Sequence, residues 1–149
     1  MDARARAVAF AVLLSAGVPL ARAAGVVTVS QPWARPAALH ASTPVYLELG
    51  SSDDVTLVAV RSSLGNVALM RGNARVHDIG LAAHVPLPMA AAREHLVLER
   101  VSRRLVTGDR VPLTLVLRDA QGATREIDVS AEVRPRSPID DERRAHGRH

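Results

Sequence analysis

Val111-Pro112-Leu113-Thr114-Leu115-Val116-Leu117-Arg118, Asp119-Ala120-Gln121-Gly122 and Thr124-Arg125-Glu126-Ile127-Asp128-Val129 form two alternating runs on either side of a turn cluster. Side chains of an extended chain alternate between two faces, so Val111, Leu113, Leu115 and Leu117 share one apolar face. In the second run Glu126 and Asp128 alternate with Ile127 and Val129, which gives that strand one wet face. Asp119 and Gly122 are turn residues, and the whole stretch predicts a β-hairpin. Pro112 has no N–H to give to a ladder, so it belongs at a sheet edge or a strand start.

The same pattern extends outward along the chain. Strands are predicted over Val26–Ser30, Val45–Gly50, Thr56–Arg61, Val67–Arg71, Arg75–Ile79 and His95–Arg100, besides the two of the hairpin. Ser51-Ser52-Asp53-Asp54 and Thr107-Gly108-Asp109 supply further turns, and no segment of helical length has a 3.6-residue apolar period. Short strands at regular turn spacing predict an all-β domain, an antiparallel Greek-key barrel or sandwich, over residues 24–133. Residues 134–149 contain Pro135, Pro138 and dense charge without an apolar pattern, and are expected to be a disordered tail.

The first 23 residues have a different character. Arg4 and Arg6 precede an apolar stretch from Ala7 to Leu14, then a Gly17/Pro19 break and Ala21-Arg22-Ala23. That order is the one of a cleavable secretory signal peptide, and the apolar stretch is well short of the ~20 residues that a membrane span needs. The processed protein is expected to begin near Ala24 in the bacterial periplasm, without stable membrane insertion. No cysteine occurs in the 149 residues, which excludes disulfides, thiolate metal sites and a cysteine-linked lipid anchor. All 19 basic residues are arginine, yet residues 24–133 carry 11 basic and 11 acidic side chains. A neutral body with Trp33 and Tyr46 as its only aromatics has neither the charge nor the stacking platform for nucleic acid. No G-x-S-x-G, H-E-x-x-H or phosphate loop is present, and a non-enzymatic role is expected.

Chemistry concentrates between Leu69 and Val101. Met70 and Met89 fall there with His77, His84 and His95. Thioether sulfur and imidazole suit a soft cation such as Cu(I), whereas hard cations take carboxylate oxygens. Each residue also has a plainer reading, since a methionine in an apolar strand fills core and a histidine in a loop is solvated.

Several segments resemble one family. Trp33-Ala34-Arg35, Pro44-Val45-Tyr46-Leu47-Glu48-Leu49, Leu57-Val58-Ala59-Val60, Gly65-Asn66-Val67-Ala68-Leu69, Val85-Pro86-Leu87-Pro88, His95-Leu96-Val97-Leu98, Leu105-Val106-Thr107-Gly108-Asp109 and Val111-Pro112-Leu113-Thr114-Leu115 follow the order of the PCu(A)C periplasmic copper chaperones. The resemblance spans residues 26–130 and implies a cupredoxin-like barrel that carries Cu(I) on two His and two Met. It also implies delivery to a metal-receiving partner such as the copper centre of cytochrome oxidase or its assembly components. The family's H-x-M falls on His95-Leu96-Val97, so the imidazole is kept and the sulfur is replaced. The family's first His falls on Met70 and its accompanying Met on Gly72, and the segment from there to His95 is shorter than the family pattern. Two outcomes follow: a rebuilt Cu(I) site on Met70 and His95, completed by Met89, His77 or His84, or a metal-free barrel that binds a protein partner. A weaker third reading places a divalent metal on His146 and His149 of the tail.

Overall fold

The computed structural model describes residues 25–147, so the leader expected at 1–23 and the tail residue His149 lie outside the described residues. Ten strands follow one another: β1 Val27–Ala34, β2 Thr43–Ser51, β3 Val55–Ser62, β4 Gly65–Arg71, β5 Ala74–Val76, β6 Ile79–Leu81, β7 Leu87–Pro88, β8 Glu94–Glu99, β9 Arg110–Asp119 and β10 Thr124–Val133. Among the described residues a single helix, α1, spans Pro138–His146. The order β4-β8-β2-β1-β10-β9-β3, with β3 pairing back to β4, closes a seven-stranded barrel of the expected all-β, cupredoxin-like kind.

The predicted hairpin is its longest ladder. Thr124 pairs with Arg118 and Glu132 with Arg110, and the Asp119 carboxylate caps the turn by accepting from the Gln121 and Ala123 amides, each at 2.9 Å. Leu113, Leu115 and Leu117 point inward and are buried. Pro112 pairs with Ser130 on β10, while pairing with β3 begins only at Thr114, so its missing donor faces no strand. One pair departs from the antiparallel expectation: β1 runs parallel to β10, with Trp33 beside Glu132.

A bulge in β1 decides which way its tryptophan points. Ser30 pairs with Glu48 but Trp33 pairs with Tyr46, one residue out of step, and Gln31 takes φ +48. The extra residue inverts the alternation. Val27 and Val29 face the interior before the bulge and Ala34 after it, so Trp33 turns to the outer face.

Three further features differ from the sequence reading. The strand expected over Arg75–Ile79 splits at His77-Asp78, because β5 pairs with β4 whereas β6 pairs with β3. The short β7 was not expected, and it lies against Glu48 and Leu49 of β2. The tail expected to be disordered forms α1 instead. Its reason is local: Ser137 accepts from the Ile139 amide at 3.3 Å, Pro138 opens the helix, Asp140 and Asp141 occupy the first turn, and Arg143, Arg144 and His146 the last. Arg134 pairs with Asp141 at 2.7 Å, while no residue of the helix is buried. No described helix is long and apolar enough to cross a membrane.

Barrel closure rests on the β3–β4 hairpin, where only Arg61–Asn66 and Ser62–Gly65 pair. A Cβ at Gly65 would come within 2.5 Å of the Glu99 carbonyl oxygen, whereas one at Gly80 would meet nothing within 4 Å. Gly65→Ala is therefore expected to destabilise the barrel by about 1–3 kcal/mol in urea denaturation, and Gly80→Ala to leave the midpoint nearly unchanged.

Candidate metal centre

A row of side chains crosses the outer face of the sheet. Trp33 of β1 pairs with Tyr46 of β2, and Met70 of β4 pairs with His95 of β8 and with Arg75 of β5. Val45 pairs with Leu96, so alternation sets Tyr46 and His95 together on the opposite face. Ring centroids are 5.0 Å apart for Trp33 and Tyr46 and 6.1 Å for Tyr46 and His95. Trp33, Tyr46 and His95 are each only 8% exposed, and Trp33 and Tyr46 belong to the buried apolar cluster although register sets them on the face opposite Val45 and Leu96.

Met70 and His95 are direct cross-strand partners. Side chains in that relation have Cβ atoms about 4.5–5.5 Å apart, a span that lets a thioether and an imidazole meet one ion. The register thus brings together the two residues that the sequence put first. Val97, the replaced sulfur position, lies on the same face beside Ala68 and Pro44 and offers no donor.

The other three candidates are placed differently. His77 is exposed in the bend after β5, two residues beyond Arg75, the partner of Met70. Met89 belongs to the core cluster, and its N–H donates to the Leu47 carbonyl at 3.0 Å. His84 is exposed, with φ +60, and its amide bonds to the Ser51 carbonyl. Tyr46 and Ser51 are five residues apart along β2, about 16 Å of strand rise, so His84 lies well away from the Met70–His95 pair. Among the described residues no three His, Asp or Glu side chains converge on one point. In the tail, His146 Nδ1 is 2.8 Å from the Glu142 carbonyl within the exposed helix.

His95 is held in one orientation. Its Nδ1 lies 3.0 Å from the Arg93 carbonyl oxygen. A carbonyl only accepts, so Nδ1 carries the proton and the Nε2 lone pair of the neutral ring is left free. That is the arrangement of a metal-binding imidazole with its other nitrogen anchored. No buried side-chain nitrogen or oxygen among the described residues lacks a partner, so this second nitrogen retains contact with solvent.

Charged groups rim the pair. Arg71 meets Glu94 at 3.3 Å, and Arg75 of β5 pairs with Glu99 of β8. Hydrogen bonding from its own backbone, then the Arg71 guanidinium, outweigh desolvation and hold the Glu94 carboxyl below its ordinary 4.5. A carboxyl lowered in the folded state stabilises the fold fully above pH 4.5, and that contribution disappears as pH falls through the lowered value.

Comparison with known proteins places the chain in a family and its barrel among known folds. The LpqE-like lipoprotein family model matches residues 27–129, well over half of the chain. The chain belongs to the LpqE-like family. Among solved structures, the copper-bound PCuAC domain from PmoF2 superposes with a TM-score of 0.58 at 24% identity, covering 75% of this chain and 97% of that one. The apo PCuAC domain from PmoF1 gives 0.58 at 19% identity, over 72% of this chain and 94% of that one. The solution structure of CuI-DR1885 from Deinococcus radiodurans gives 0.55 at 26% identity, over 72% of this chain and 78% of that one. No curated protein matches the chain in sequence. This LpqE-like chain thus has the barrel of PCuAC copper-chaperone domains, the family that its sequence motifs resemble.

The sequence reading missed the aromatic half of the row and the carbonyl that orients His95. The order of Trp33, Tyr46 and His95 was visible, but only the β1 bulge sets the ring of Trp33 beside that of Tyr46. Tyr46→Ala is expected to lower stability by about 3 kcal/mol and to shift the emission of Trp33 to longer wavelength as water reaches the indole. Arg71→Ala is expected to raise the Glu94 pKa toward 4.5, read by carboxyl carbon shifts across an acid titration.

Proposed function

We propose that this LpqE-like protein is a periplasmic Cu(I) carrier that takes the ion on Met70 and His95 and passes it to a metal-receiving protein, such as the copper centre of a cytochrome oxidase. The observation that supports this reading above all is the cross-strand pairing of Met70 with His95, with Nδ1–H committed to a carbonyl and Nε2 free. One thioether and one imidazole form a soft, neutral donor pair that fits Cu(I) and gives little to a hard cation. His77 completes the set in this proposal, since it follows the edge strand next to Met70. Met89 packs in the core and His84 lies far along β2. Few donors on an outer face leave the ion reachable by an incoming ligand of the recipient, so exchange needs no opening of the barrel. Export rests on the leader-like residues 1–23, and the proposed action is transfer without chemical change, which is why no catalytic group is assigned.

A second reading has its own observation. Val97 stands where the family motif carries sulfur, and His95 stacks on Tyr46 as an ordinary packed side chain does. On that reading the barrel recognises a protein partner without metal.

Anaerobic Cu(I) titration of the processed protein against a competing chelator separates the two. One-to-one binding is expected, with Met70→Leu and His95→Ala each weakening it beyond the ~10-fold that loss of an outer-shell partner alone brings. His77→Ala should weaken it less, and deletion of residues after Arg136 should leave it unchanged. Absence of Cu(I) binding by the wild type would favour the metal-free module, and loss of binding on tail deletion alone would transfer the site to His146 and His149.

A further inference from the structure

The Arg93 carbonyl oxygen accepts twice. It takes the Nδ1–H of His95 at 3.0 Å and the backbone N–H of Gly72 at 3.0 Å. Gly72 is the first central residue of the two-residue hairpin between β4 and β5, where Arg71 pairs with Ala74. It has φ +57, and Asn73 is not among the residues with positive φ. This is the signature of a type II′ turn, which requires a residue tolerant of left-handed backbone at that place. A Cβ at Gly72 would be 3.8 Å from its nearest neighbour, the Ala92 carbonyl oxygen, so space does not demand glycine there. The backbone conformation instead calls for a residue that tolerates positive φ, glycine or asparagine.

The carbonyl is borne by a short excursion of the chain. Residues 87–88 and 96–98 pair along the same edge of β2, and between them the Arg93 amide closes a turn onto the Ala90 carbonyl at 3.0 Å. Ala90, Ala91, Ala92 and Arg93 are all exposed, so packing does little to fix this loop. Its tie to the neighbouring hairpin is the Gly72 amide, beside the Arg71–Glu94 ion pair.

We propose that Gly72 is a positioning residue for His95: its left-handed turn delivers the amide that fixes the Arg93 carbonyl, and that carbonyl selects the tautomer with Nε2 free. The inference rests on the Cu(I) reading for its purpose, but its geometry concerns the metal-free protein. A carbonyl that also receives a backbone N–H is held in place and more polarised than a solvated one. An imidazole facing it donates from Nδ1 and directs its lone pair at Nε2 outward, which raises ligand quality without adding a ligand.

The test begins without metal. Long-range proton–nitrogen spectra of the wild-type protein, recorded where His95 is neutral, should show Nδ1 protonated and Nε2 bare, with a nuclear Overhauser contact from the Nδ1 proton to the Gly72 amide. Gly72→Ala strains the turn. It is expected to populate the other tautomer of His95 and to weaken Cu(I) binding about 10-fold, while far-UV circular dichroism keeps its barrel spectrum. Gly72→Asn accepts positive φ and should restore both the tautomer and the affinity. An Nε2-protonated His95 in the wild type overturns the proposal, as does a folded Gly72→Ala protein with tautomer and affinity unchanged. Should Gly72→Ala fail to fold, Gly72→Asn decides, because a folded Gly72→Asn protein with an altered tautomer overturns the proposal and retention of the tautomer upholds it. A wild type with the expected tautomer but no Cu(I) binding would remove the carrier reading and leave the positioning of His95 standing.

Discussion

The registration of β4 against β8 is the constraint on which the site depends. Leu69 lies opposite Leu96 and Met70 opposite His95, so one pairing serves both faces of the wall. A slip of one residue would send Leu96 and Leu98, both fully buried, to the outer face and bring polar side chains into the core. Burial of the apolar set therefore holds the register, at about 1.5–3 kcal/mol for each large aliphatic side chain. Met70 and His95 become cross-strand neighbours as a by-product of that burial, not through any attraction of their own.

The barrel was largely legible in the sequence because its code is local. Val111, Leu113, Leu115 and Leu117 announce a strand by alternation alone, and Asp119 to Gly122 announce the reversal that follows. Alternation does not say which strand is the neighbour. Arg75 to Ile79 reads as one strand because Val76 and Ile79 are both apolar, and nothing local records that the chain leaves β4 for β3 at Asp78. The two-residue β7, with Pro86 and Pro88 around Leu87, carries no periodic signal. The helix at Pro138 had readable end signals in Ser137, Pro138, Asp140 and Asp141, but it is polar all round and so lacks the apolar stripe by which helices are recognised.

The site was half legible. Residue chemistry picked out five candidates, the family resemblance put Met70 and His95 first, and register made those two neighbours. Tautomer selection was beyond reach, since it depends on a main-chain carbonyl two residues from His95 and on a glycine that no side-chain pattern distinguishes. The same five candidates illustrate how three-dimensional placement sorts residues of identical type: Met89 became core, His84 was carried along β2, and His77 stayed near the edge of the row. A family likeness at 19–26% identity fixes the barrel and leaves such sorting to the individual chain.

The parallel contact of β1 with β10 bears on when the molecule can exist at all. Trp33 and Ala34 take Glu132 and Val133 as partners, so almost the full length of the body separates two strands that must lie side by side. Pairing of such distant segments is slow, because a long loop must close before any contact repays the ordering. Until synthesis has passed Val133, the wall has a gap where its last strand belongs. A polypeptide that completes its barrel only with its final strand cannot seal its core until nearly the whole body has been made.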